Sequence, residues 1–169
     1  HESMAHWEIY GGKNSVAILT SVKRLKKQLD NTGNTLVKKY LTGPNFVPVD
    51  YIDHHSINDE LARDLLDDPL NPLRKKNIAF QYEDEVRVIY SHYHHPLAKN
   101  SFNEKLGKGF TVDINCNDLI ENIIVSPKAD KWFFDLVNEL CKKKNYNLTG
   151  KVKRSSLYIT PFEEVFGET

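Results

Sequence analysis

"ENIIVSPKADKWFFDLVNELCKKK", Glu121 to Lys144, decides the fold class. Its opening "ENIIVSP" reads as a strand. Beyond it, Ala129, Trp132, Phe133, Leu136, Val137, Leu140 and Cys141 recur at intervals of three and four. That period predicts a helix over 128–144 that lays one broad apolar face on a sheet, with Pro127 at its first position, where the missing N–H costs nothing.

Working outward, strands and helices alternate irregularly. Residues 3–10 predict a short helix that brings Met4, Trp7 and Ile9 to the core and stops at Gly11-Gly12. "SVAILT", Ser15 to Thr20, reads as a buried strand, and Ser21 as the cap of a helix through Asp30. Two strands are expected over 36–41 and 46–52 around "TGPN", with Pro48 confining the second to an edge or a bulge. "INDELARDLLDD" predicts a helix over 57–68, "GKGFTVDIN" a strand over 107–115, and "KVKRSSLYI" a basic closing strand. The mixture, with several hairpin-sized connections, predicts a single α+β domain over 1–169 with a curved, largely antiparallel sheet and packed helices.

A chain of 169 residues hides roughly 70% of its unfolded surface on folding, enough for a core without staples. Its 23 lysines and arginines equal its 23 aspartates and glutamates, so no broad field draws in a polyanion. Nucleic acid would need a local patch: Lys142, Lys143, Lys144, Lys151, Lys153 and Arg154 supply one, although such lysines commonly complement a helix C-terminus and protect an edge strand. The two cysteines, Cys116 and Cys141, have neither zinc spacing nor a disulfide framework, which points to a reducing, cytoplasmic setting. No run reaches the ~18 apolar residues of a membrane span. The histidines of "DHH" (Asp53 to His55) and "HYHH" (His92 to His95) would have to splay together from loops to hold zinc, so no metal is expected.

The stretch with candidate chemistry is "FQYEDEVRVIY", Phe80 to Tyr90. Read as extended, it puts Tyr82, Val86, Val88 and Tyr90 on one face and Glu83, Glu85 and Arg87 on the other, with Asp84 the exception. Such a face is either a solvated side of a sheet, with Arg87 screening the acids, or the wall of a cleft in which close carboxylates tune each other. Glycine-rich phosphate loops and nucleophile elbows are absent from the sequence.

Taken in order, "ESMAHWEIYGGKNSVAILTS", "VDYID", "KKNIAFQYEDEVRVIY", "LIENIIVSP" and "RSSLY" resemble a large bacterial family known as a domain of unknown function. The shared motifs are W-x-x-Y (Trp7, Tyr10), a G-V-A-I strand in which Ser15 replaces the glycine, V-x-Y-x-D (Val49, Tyr51, Asp53), and a lysine (Lys75 or Lys76) leading into Y-E-x-E-x-R (Tyr82, Glu83, Glu85, Arg87). Members of that family carry a further N-terminal segment, so the resemblance implies that this chain is the C-terminal portion of a longer protein, to be completed by that segment or by a partner chain. The motif order is also similar to that of ADP-ribosyltransferases. This second likeness implies an NAD-using enzyme of a toxin or phage-defence system, with NAD as substrate rather than a tightly bound cofactor. In it Glu85 or Glu83 would be the catalytic acid, and Tyr82, Arg87 and Tyr51 would contact the nucleotide. A carboxylate below the ribose would stabilise the oxocarbenium-like state of nicotinamide release. The alternative is a non-catalytic sensing or interaction module in which the acids and Arg87 form a structural network.

Overall fold

The computed structural model describes residues 2–31, 33, 35–53, 55, 63, 67–68, 70–91, 109–143 and 148–158. They form an α+β protein whose contacts fall into two compact units: His1–Asn31 with Ile114–Thr169, and Thr32–Asp113. His54, the histidines of "HYHH", Lys144 and most of the helix expected over 57–68 lie outside the described residues. No helix among the described residues is long and apolar enough to cross a membrane.

The unit made from the two chain ends is built on the sheet order β1 (Val16–Leu19), β6 (Asn122–Val125), β7 (Val152–Arg154). β6 runs antiparallel to β1 and parallel to β7. With a neighbour on each side, β6 buries its alternate residues: Ile123 is 5% exposed and Val125 is fully buried. Ile123 joins Cys141 and Leu148 in a core that Ile120, Val137 and Val152 complete, each such side chain contributing about 1.5 to 3 kcal/mol through burial. Burial also pushes the Cys141 thiol pKa up.

β1 departs from expectation. It is a strand, as "VAIL" predicts, yet all four of its residues are exposed, because it stands at the edge of the sheet rather than inside it. The N-terminal helix α1 (Met4–His6) widens into a π-type turn over Trp7–Gly11. Trp7 is buried while Met4 and Ile9 are exposed, so one of the three residues expected in the core reaches it. Helix α2 (Val22–Asp30) is capped as expected by Ser21, whose Oγ accepts from the Arg24 amide at 3.3 Å.

The long helix α5 starts later than Pro127 suggests, at Lys131, and runs to Lys143. Its start is set back because Ser126 to Ala129 form a turn, with the Ala129 amide on the Ser126 carbonyl, and Asp130 O receives the first helical amides. Its apolar face is split: Cys141 and Val137 pack inward, while Trp132, Leu136 and Leu140 are exposed. The strand expected over 107–115 is also absent where described. Gly109–Asn115 is irregular, and the Asn115 side chain instead caps the short α4 (Cys116–Leu119) by accepting from the Asn117 amide.

In the central unit, residues 36–41 form helix rather than strand: α3 spans Thr35–Tyr40, and the Leu41 amide bonds the Val37 carbonyl four residues back. A short apolar run fits either period, and here the local helical bonds win. β2 (Thr42–Pro48) absorbs "TGPN" as a register shift inside the strand instead of a turn between strands, and pairs antiparallel with β5 (Val86–Ser91). β3 (Asp50–Ile52) pairs in parallel with β4 (Lys75–Asn77), setting Tyr51 opposite Lys76.

Candidate functional site

The stretch Phe80 to Tyr90 is not one strand. Asn77 opens a 3-10 turn over Ile78–Glu83 by accepting from the Ala79 amide, and Asp84 ends it in the left-handed region at φ 47° and ψ 52°. Aspartate tolerates that conformation better than most residues. β5 begins only at Val86, so Tyr82 and Glu83 lie on the turn, and the two-faced strand predicted for them does not form.

The turn nevertheless gathers the acids. Lys76 Nζ meets the carboxylates of both Glu83 and Glu85, the latter at 3.0 Å. Arg87 clasps Glu85 from the other side, Nε to Oε1 at 2.6 Å and Nη2 to Oε2 at 3.3 Å, and spends Nη1 on the Leu73 carbonyl at 2.7 Å. The main chain of Glu85 is fixed as well: its amide donates to the Tyr51 hydroxyl at 2.8 Å, and its carbonyl accepts from the Val49 amide at 2.9 Å. Lys76 Nζ also lies 5.0 Å from the centre of the Phe80 ring. Two carboxylates and two cations thus sum to no net charge.

Electrostatics follow the geometry. The hydrogen bonds from Arg87 first and Lys76 second hold the Glu85 carboxyl at a pKa of about 2, down from 4.5. Glu83 and then Glu85 raise the pKa of Lys76, and Glu85 raises that of Arg87. Each partner favours the charged form of the other. The side chains are 12 to 29% exposed, Glu83 least, so water screens the pairs only in part.

An open groove of about 490 Å³ runs beside β5, with Glu85, Arg87 and Leu73 in its wall. Of the residues singled out from sequence, Glu83, Glu85, Arg87 and Tyr51 are brought together, whereas Tyr82 stands on the turn, 44% exposed. Lys76 is the member whose role the sequence does not reveal. The motif offers Lys75 or Lys76, and only the β3–β4 register separates them: Lys75 pairs with Asp50 at 3.0 Å, Lys76 with the two glutamates.

The basic patch is partly occupied. Lys151 Nζ donates to the carbonyls of Asn117 (2.8 Å) and Ile120 (2.7 Å), Arg154 lies over the Phe134 ring, and Lys142 pairs with Glu139 at 3.2 Å. Among the described residues no three histidine, cysteine, aspartate or glutamate side chains are grouped to hold a metal. The chain matches no protein-family model, no curated protein and no solved structure at a significant level.

Proposed function

We propose that the chain is a non-catalytic protein-interaction module, and that Glu83, Glu85, Lys76 and Arg87 form a structural network that pins the turn into β5. The observation that carries this reading is the saturation of both acids: Glu85 already binds two cations, and Glu83 shares one of them. A carboxylate so neutralised projects little negative potential toward a developing oxocarbenium ion, which a catalytic acid at that step must do. The test is a pair of measurements. NAD should leave the thermal midpoint unmoved, whereas binding at 100 times its dissociation constant would add about 2.7 kcal/mol of apparent stability. Glu85→Gln should lower stability because it leaves Arg87 and Lys76 short of a charged partner.

A second reading, the ADP-ribosyltransferase-like one, is favoured by the groove beside Glu85 and Arg87. NAD binding there would place ribose against Glu85, with Tyr51 and Arg87 at hand, and would have to draw Lys76 or Arg87 off the carboxylate. A midpoint raised by NAD in the wild type and not in a Glu83→Gln, Glu85→Gln double variant would replace the first reading with this one.

A further inference from the structure

We infer that the pocket between α2 and α4 binds a phosphate monoester, held by Lys23, Lys27 and the side-chain amide of Gln28. The ligand chemistry is a compact dianion, carried either by a small phosphorylated molecule or by a phosphoserine side chain. The inference goes beyond the interaction-module reading and does not rest on it.

The pocket lies within the unit of the two chain ends. It has a volume of about 330 Å³ and is lined by Ser21, Lys23, Arg24, Lys27, Gln28 and Asp118. Five of these six belong to the cap and first two turns of α2. Lys23 and Lys27 stand one helical turn apart, and so do Arg24 and Gln28, so the four form two adjacent rows on one side of the helix. Asp118 brings α4 to the opposite wall.

Two of the side chains build the pocket. Arg24 Nε donates to Glu121 Oε1 at 2.8 Å and its Nη1 to the Asp118 carbonyl at 2.7 Å, which ties α2 to α4. Gln28 makes a second tie, its Oε1 accepting at 2.9 Å from the amide of Asn115, the residue that caps α4. That bond fixes the orientation of the Gln28 amide, because only its oxygen can receive an N–H. The NH2 end is left over. Gln28 is 9% exposed, and among the described residues its Nε2 has neither a hydrogen-bond partner nor a place among the polar atoms sealed from solvent. A donor on a nine-tenths buried side chain that opens on a pocket without a partner calls for an acceptor there.

Charge makes that acceptor an anion. Lys26 pairs with Asp30 at 3.2 Å, whereas Lys23 and Lys27 have no ion pair among the described residues. Arg24 and Glu121 cancel. Two lysines against the one carboxylate of Asp118 leave the pocket positive, and the first-turn amides of α2 add to this. A phosphate monoester brings a charge of about −1.5 to −2 and three acceptor oxygens, enough to take up both ammonium groups and the Gln28 amide together. A carboxylate, with one charge and two oxygens, leaves one of the three unmatched. Ser21 Oγ accepts from the Arg24 amide at 3.3 Å and retains its O–H to donate.

The experiment titrates glycerol phosphate into the full chain by calorimetry, with a phosphoserine hexapeptide in a second arm. Saturable binding is expected in at least one arm. Lys23→Gln and Lys27→Gln should each weaken it about fivefold, whereas Lys26→Gln, which removes a paired charge from the same helix, should leave it unchanged. Gln28→Glu keeps the acceptor for the Asn115 amide and exchanges the donor for a like charge, so it should weaken binding by about tenfold or more. Asp118→Asn should tighten binding about threefold. Lys23 and Lys27 are exposed, so their variants report on binding even where Gln28→Glu fails to fold. Peptide affinity about tenfold or more above that of glycerol phosphate assigns the site to phosphoserine; equal affinities assign it to a free phosphate ester. Absent binding in both arms overturns the inference. So does an equal loss from Lys26→Gln and Lys27→Gln, because the site would then be a diffuse basic face.

Discussion

The Glu85 cluster and the β1 edge are opposite solutions to the same demand, that polar groups find partners. In the central unit the residues that look most reactive are closed among themselves: two acids, two cations and a tyrosine hydroxyl from β3, β4, β5 and the turn into β5 satisfy one another together with the Leu73 carbonyl. In the other unit the plainest four residues of the chain, "VAIL", have no strand on one side among the described residues and three large side chains exposed. Chemical richness in a sequence therefore marks where interactions are made, and here it marks interactions already made. Unfinished business sits where the sequence is bland.

Several substitutions sharpen or break that contrast. The largest effect belongs to neither region but to the strand beside β1: Ile123→Ala should destabilise by about 2 to 4 kcal/mol in chemical denaturation, since it opens a cavity against Cys141 and Leu148. A cost under about 1 kcal/mol would mean that this core is loosely packed and that β6 differs little from β1.

Next, Glu85→Gln should cost about 1 to 2 kcal/mol, a value discounted for the 29% exposure of the pair. The same carboxylate sets a pH dependence. Its folded pKa of about 2 lies below 4.5, so the unfolded chain binds the proton more readily across that interval. The stabilisation from Glu85 is therefore complete above about pH 4.5 and is lost as pH falls toward about 2. Denaturation midpoints of wild type and Glu85→Gln should converge over that window; parallel curves would show that the cluster is not closed in solution.

A smaller effect is expected at Asp84, where Ala should cost about 1 kcal/mol for a left-handed backbone and Gly should not. Equal effects of Ala and Gly would assign the cost to the aspartate side chain instead. Smallest of all, Ile18→Thr at the half-exposed edge should change stability by less than about 0.5 kcal/mol. A loss comparable to that of Ile123→Ala would mean that β1 is covered in solution.

Much of the architecture is legible in the chain. The strand Asn122–Val125, the Ser21 cap, the helical period of 131–143 and the turn at Gly11-Gly12 follow from local rules, because period and capping act within a few residues. Where local rules leave a tie, reading fails: residues 36–41 satisfy helix and strand alike, and Glu83 to Arg87 has the alternation of a strand while Asp84 can turn left. The candidate site was half visible. Glu83, Glu85 and Arg87 stand close in sequence, but the choice of Lys76 over Lys75 depends on pairing across the 25 residues that separate Asp50 from Lys75.

By itself, then, the sequence determined the α+β class, the helix-and-strand order of the two chain ends and the acids of Tyr82 to Arg87, since each depends on neighbours in the chain. Only tertiary structure decided that β6 is central and β1 peripheral, that the acids are neutralised, and that Lys76 rather than Lys75 joins Arg87 in neutralising them. The physical reason is common to all three: burial and ion pairing depend on which distant strand lies alongside, and a strand's own period says which side chains share a face without saying what that face will meet.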